Sequence, residues 1–150
     1  MNSPSTTPKE TAWNRLIKWV VCRNEPARVL VAEDDTAMRD LLAEALRRDG
    51  HDVIEVPDGR HLAAYFEAAG DSEAALPLPD LIISDVRMPG YTGLDILASL
   101  RAAQIDVPVI LISAFADEAT HREAFDLGAA FLDKPFDLEA LRRTVRALVR

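Results

Sequence analysis

From Arg28 onward, short apolar runs alternate with segments whose apolar residues recur every three or four positions. The runs Arg28–Ala32, Asp52–Val56, Leu81–Ser84, Val107–Ser113 and Ala130–Leu132 are short and rich in Val, Ile and Leu. They predict five strands. The segments Thr36–Arg48, Gly59–Ala69, Gly93–Ala103, Asp117–Leu127 and Asp137–Val149 predict five helices. In the first, Met38, Leu41, Leu42, Ala45 and Leu46 fall on one face, and Gly50 closes the helix. Gly128 closes the fourth helix, and Asp137 suits the N-cap of the fifth. Gly70–Pro79 predicts a loop longer than most helix-to-strand connections. Strands that are apolar without alternation imply a parallel sheet covered on both faces. Right-handed crossovers then give an α/β, doubly wound (βα)₅ domain over residues 28–150. No internal repeat is visible, and no second domain is expected after the last helix.

Residues 1–27 form an N-terminal extension. The first ten are rich in Pro, Ser and Thr and predict a disordered start. Residues 11–22 predict a short amphipathic helix, because Trp13, Leu16, Ile17 and Val20 share helical spacing. A break follows near Asn24-Glu25-Pro26. Such a helix suits folding back on the domain, or a contact with a second copy or another partner.

One hundred and fifty residues fit one domain with a sizeable core. No apolar run is long enough to cross a bilayer, and the N-terminus lacks the pattern of a secretory signal. The one cysteine, Cys22, allows no intrachain disulfide. These features predict a cytoplasmic protein. The net charge of −8 is unevenly divided. Residues 1–28 hold five basic and two acidic side chains, and residues 29–150 hold 12 basic and 23 acidic ones. So acidic a domain argues against direct nucleic-acid binding and suits a cation or a basic partner.

Asp85 ends an apolar strand and precedes Val86-Arg87-Met88-Pro89-Gly90. Parallel strands place their carboxyl ends on one sheet edge, where open α/β folds carry their sites. That edge would collect Glu33, Asp34 and Asp35, then Asp85, Ser113 and Lys134. Clustered carboxylates raise the pKa of one member or bind a cation. Hard oxygen donors without His or Cys favour Mg²⁺. A lysine ammonium and a serine hydroxyl can meet phosphoryl oxygens, and a carboxylate can itself accept a phosphoryl group. His51, His61 and His121 have no mutual metal-ligand spacing and are expected at the surface. The basic last helix, with Arg142, Arg143, Arg146 and Arg150, is expected to be a solvated face.

Over residues 28–150 the chain resembles a two-component response-regulator receiver domain. The motifs are VLVAEDDTAMR at 29–39, LIISDVRMPGYTG at 81–93, VPVILISA at 107–114 and GAAFLDKPF at 128–136. The resemblance implies a flavodoxin-like sheet of order 2-1-3-4-5. It implies that Asp85 accepts a phosphoryl group from a sensor histidine kinase or phosphotransfer protein. Glu33 and Asp34 would be the acidic pair around Mg²⁺, with Asp85 and the backbone carbonyl of Arg87 as further ligands. Ser113 would be the switch hydroxyl, Lys134 the phosphate partner, Phe131 the switch aromatic, and the Lys134–Pro135 bond cis. Asp35 would lie outside the pair. Tyr91-Thr92 departs from the commoner Met-Asp, and Phe131 lacks the hydroxyl of the frequent Tyr.

The expected function is a non-enzymatic signalling switch. Phosphorylation would change the surface of the fourth helix, fifth strand and fifth helix for a downstream protein or a second copy. Two other readings compete. A phosphate-independent interaction module would not need the intact set of acids, hydroxyl and lysine. An aspartyl-nucleophile phosphatase usually needs a second acid nearby, where Asp85 has Arg87 two residues on.

Overall fold

The structure is a computed structural model that describes residues 11–14, 26–70 and 77–149. Five strands alternate with five helices: β1 (Arg28–Ala32), α1 (Thr36–Arg48), β2 (Asp52–Val56), α2 (Gly59–Gly70), β3 (Leu81–Asp85), α3 (Gly93–Ala102), β4 (Val109–Ser113), α4 (Glu118–Asp126), β5 (Ala130–Asp133) and α5 (Leu138–Leu148). All pairings are parallel, in the order β2-β1-β3-β4-β5. The expected doubly wound topology is therefore the observed one.

The unbroken apolar strands follow from burial on both faces. Leu30, Ile82 and Leu111 point to the layer of α2, α3 and α4, where they meet Leu62, Leu97 and Ala124. Val29, Val31, Ile83 and Ile110 point to the other layer, with Leu42 and Leu46 of α1 and Leu141 and Val145 of α5. Each such fully buried aliphatic side chain contributes about 1.5–3 kcal/mol. The central strands β3 and β4 are buried throughout, whereas the edge strands β2 and β5 are only partly covered.

The structure shifts several expected boundaries. Asp117 is not in its helix but caps it, accepting from the backbone N–H of Thr120, while Asp137 is the N-cap it was expected to be, accepting from the N–H of Glu139. Strand β4 starts at Val109 because Pro108 has no N–H for the ladder, although its carbonyl accepts from Ile82. The buried face of α1 is Leu42, Ala43 and Leu46, while Leu41 is 45% exposed. Leu41 lies about a quarter-turn from Leu42, which swings it off the sheet. In the N-terminal extension, residues 12–14 are helical; the rest of the 11–22 segment, and the first ten residues, lie outside the described residues. So does most of the Gly70–Pro79 loop. No helix among the described residues is long and apolar enough to cross a membrane.

Candidate functional site

The strand order reverses direction between β1 and β3, and the turns leaving these two strands flank a crevice. Glu33, just after β1, is fully buried. Every polar atom it carries is held. Its N–H donates to the Val56 carbonyl at 3.2 Å, and its own carbonyl accepts from Arg39 Nη1 at 2.8 Å. Oε1 accepts from the Asp35 N–H at 3.2 Å, and Oε2 accepts from Lys134 Nζ at 3.0 Å. Asp34 is exposed. The Asp35 carboxylate caps α1, accepting from the Met38 N–H at 3.0 Å. That contact explains why the third acid stands apart from the other two.

Asp85 ends β3 and is 7% exposed. Its Oδ1 accepts from the Arg87 N–H at 3.1 Å, and its Oδ2 accepts from Lys134 Nζ at 2.9 Å. The following turn is packed too tightly for side chains at two positions. A Cβ on Gly93 would lie 2.6 Å from the Asp85 carbonyl oxygen. A Cβ on Gly59, at the start of α2, would lie 2.0 Å from the Tyr91 carbonyl oxygen. Thr92 begins α3 through a reciprocal box with Asp95, so the helix start that the commoner Asp would also cap is kept.

Ser113 ends β4 and is buried, and its backbone carbonyl accepts from the Lys134 N–H at 2.8 Å. This bond brings Lys134 across the edge from β5. The Lys134–Pro135 bond is cis. Phe131, on β5, is half-buried and packs against His121 of α4, ring centroids 4.3 Å apart. Arg87 directs its guanidinium towards the Phe115 carbonyl at 3.5 Å. The edge thus unites Glu33, Asp34, Asp85 and Lys134, with Ser113 beside them and Phe131 one strand away.

The electrostatics are those of an acid-rich crevice with one cation. Burial, opposed by the Lys134 hydrogen bond and aided by the Asp85 charge, pushes the Glu33 carboxyl up to about 7. Burial works against the charge of Lys134, but its bonds to Asp85 and Glu33 outweigh it and hold the ammonium above its ordinary range. Carboxylate oxygens of Glu33, Asp34 and Asp85 lie within 4.8 Å of one another. Three carboxylates and one ammonium leave negative charge in excess. A donor set of oxygens alone, partly open to water at Asp34, fits a hard dication such as Mg²⁺.

The family profile of the response regulator receiver domain matches residues 29–146. The chain belongs to the response-regulator receiver family. The receiver is 38% identical over 124 residues to the transcriptional regulatory protein TcrA of Mycobacterium tuberculosis, covering 82% of this chain and 46% of that protein. The chain spans about half the length of the curated relatives it matches. Among solved structures, the receiver domain of the Francisella response regulator 1452 superposes with a TM-score of 0.70 at 29% identity. The alignment covers 82% of this chain and 96% of that one. The phosphorylated cyanobacterial phytochrome response regulator RcpA superposes with a TM-score of 0.68 at 26% identity, over 83% and 91% of the two chains.

Three contributors to this receiver's site escaped the sequence reading. Arg39 lies on α1, where an arginine at helical spacing looks like any solvated residue. Gly59 reads only as a helix start, and its contact with Tyr91 depends on how two distant turns meet. His121 was expected at the surface, yet it is half-buried against Phe131 and bonds the Asp117 carbonyl and the Asp133 carboxylate. His51 is likewise half-buried, its Nδ1 accepting from the Ala27 N–H at 3.2 Å.

Proposed function

We propose that this receiver is a phosphorylation-dependent switch in which Asp85 accepts a phosphoryl group from a histidine kinase or phosphotransfer protein. The observation that carries the reading is Lys134 Nζ lying between Glu33 Oε2 and Asp85 Oδ2 at 3.0 and 2.9 Å. One ammonium shared by two nearly buried acids holds the acceptor oxygen in place and supplies a counter-charge. Glu33, Asp34, Asp85 and the backbone carbonyl of Arg87 would hold Mg²⁺, which supplies charge neutralisation for phosphoryl transfer when bound.

In the transfer, an Asp85 carboxylate oxygen forms a bond to phosphorus as the bond from phosphorus to the donor's imidazole nitrogen breaks. The bond's electron pair stays on that nitrogen, and the imidazole leaves neutral because its ring takes a proton from water. Lys134 then turns from carboxylate to phosphoryl oxygen, and the Ser113 hydroxyl donates to another. Ser113 and Phe131 lie on neighbouring strands, with Leu111 opposite Phe131 in the ladder. Movement at Ser113 therefore reaches the Phe131–His121 contact and the surface of α4, β5 and α5. That surface would signal to a downstream protein or a second copy.

Incubation with acetyl phosphate and Mg²⁺, read by intact mass, tests the proposal. The wild type should gain one phosphoryl group, and Asp85→Asn should gain none. An unmodified wild type refutes the acceptor role, and an adduct that persists in the variant refutes the assignment to Asp85.

A further inference from the structure

We infer that Arg39 is a positioning residue for the acidic turn, setting how Glu33 and Asp34 meet a divalent cation; this rests on the Mg²⁺ site proposed above. The Glu33 carbonyl and the Asp34 N–H belong to one planar peptide group. Arg39 Nη1 donates to that carbonyl at 2.8 Å, and the Glu33 N–H is held by Val56 on the other side. The plane from which the Asp34 side chain departs is thereby fixed at its oxygen. Asp34 has no comparable anchor of its own among the described contacts, being exposed at the turn. Arg39 is itself held. Its Nε lies 3.9 Å from Glu55 Oε1 on β2, and Glu55 Oε2 accepts from Arg47 Nη1 at 3.1 Å. Arg47 also donates to the Val53 carbonyl at 3.1 Å. A chain from Arg47 through Glu55 to Arg39 thus ties the end of α1 and strand β2 to the acidic turn. Only 17% of the Arg39 side chain is exposed, so its geometry is well constrained.

Charge alone gives the opposite expectation. A cation beside an acidic cluster repels Mg²⁺, so its removal should tighten binding. Positioning predicts weaker binding, because groups that orient metal ligands typically change affinity by about tenfold or more. The sign therefore separates the two.

The test is a Mg²⁺ titration of the full chain, followed by the ¹H–¹⁵N shifts of the Asp34 and Asp85 amides, with melting temperature measured in EDTA alongside. Arg39→Met should raise the Mg²⁺ dissociation constant about tenfold. Arg39→Lys, which keeps the charge and one donor, should recover part of that loss. Arg39→Gln, which loses the charge but keeps a polar end, should also weaken binding where charge alone predicts tightening, and serves if Arg39→Met does not fold. Unchanged or tighter binding in the folded variants, with only a lower melting temperature, makes Arg39 merely structural and overturns the inference. A wild type that binds no Mg²⁺ overturns the metal-site reading and the inference with it, so the two failures are distinguishable.

Discussion

Replacing Glu33 by glutamine removes the buried proton site while keeping the side chain's shape. In water a glutamate carboxyl titrates near 4.5, and in the fold burial pushes Glu33 up to about 7. The folded state therefore holds a proton that the unfolded chain has already released. The sign follows from linkage: Glu33's contribution to stability is complete below pH 4.5 and is lost as pH rises through 7. At about 1.36 kcal/mol per pH unit, the loss is on the order of 3 kcal/mol, against a domain stability of about 5–15 kcal/mol. Other shifted groups act elsewhere or in the same direction. Asp49 is held down first by its bond to Arg142, and Asp58 and Asp117 by local hydrogen bonds, so they titrate below the window. His121 is raised and adds to the loss only near its upper end. The measurement is urea unfolding in EDTA at half-unit steps from pH 4.5 to 8, for wild type and Glu33→Gln. The glutamine amide must set one donor against Asp35 or Lys134, at a cost that does not vary with pH. The slope, not the level, thus carries the test. Wild type should lose stability across the window and the variant should lose far less. Parallel curves would refute the claim that burial raises the Glu33 carboxyl to about 7.

Other substitutions probe the scaffold around the crevice. Gly59→Ala would drive a methyl group into the Tyr91 carbonyl, and should cost about 1–3 kcal/mol by urea unfolding. Thr92→Ala removes the cap of α3 and one half of its box with Asp95; it should cost about 1 kcal/mol and leave the acetyl phosphate adduct on Asp85 intact. His121 should titrate above its ordinary range by NMR, held there by the Asp117 carbonyl and the Asp133 carboxylate. Asp133→Asn should bring that titration down, and an unmoved His121 would show that the Asp133 contact carries no weight.

The topology was readable because each apolar run is too short for a helix and too continuous for a half-exposed strand. Val29–Ala32 and Val109–Ile112 are buried on both faces, and only covered parallel strands tolerate that pattern. Boundaries were less readable where one residue serves two roles. Asp117 fits a helix by periodicity, yet it uses its carboxylate outside the helix to hold the Thr120 N–H within it. Leu41 shows the limit of face counting, since five apolar residues on α1 cover more arc than the sheet can bury.

The site was legible to the extent that its members sit at strand ends, because a parallel sheet gathers strand ends whatever lies between them. Glu33, Asp85 and Lys134 are thus brought within hydrogen-bonding distance from three separate motifs. What could not be read is the support behind them. Arg39 reaches a backbone carbonyl, and Gly59 makes room for one. Backbone partners leave no mark in side-chain pattern, because every residue carries the same carbonyl. The two classes of residue also differ in what their loss should do. Removing Asp85 deletes the acceptor and leaves the crevice in place. Removing Arg39 leaves every chemical group of the crevice present but frees the peptide plane that aims Asp34. A receiver can therefore hold all its expected acids and still bind a cation weakly, and sequence motifs alone would not reveal it.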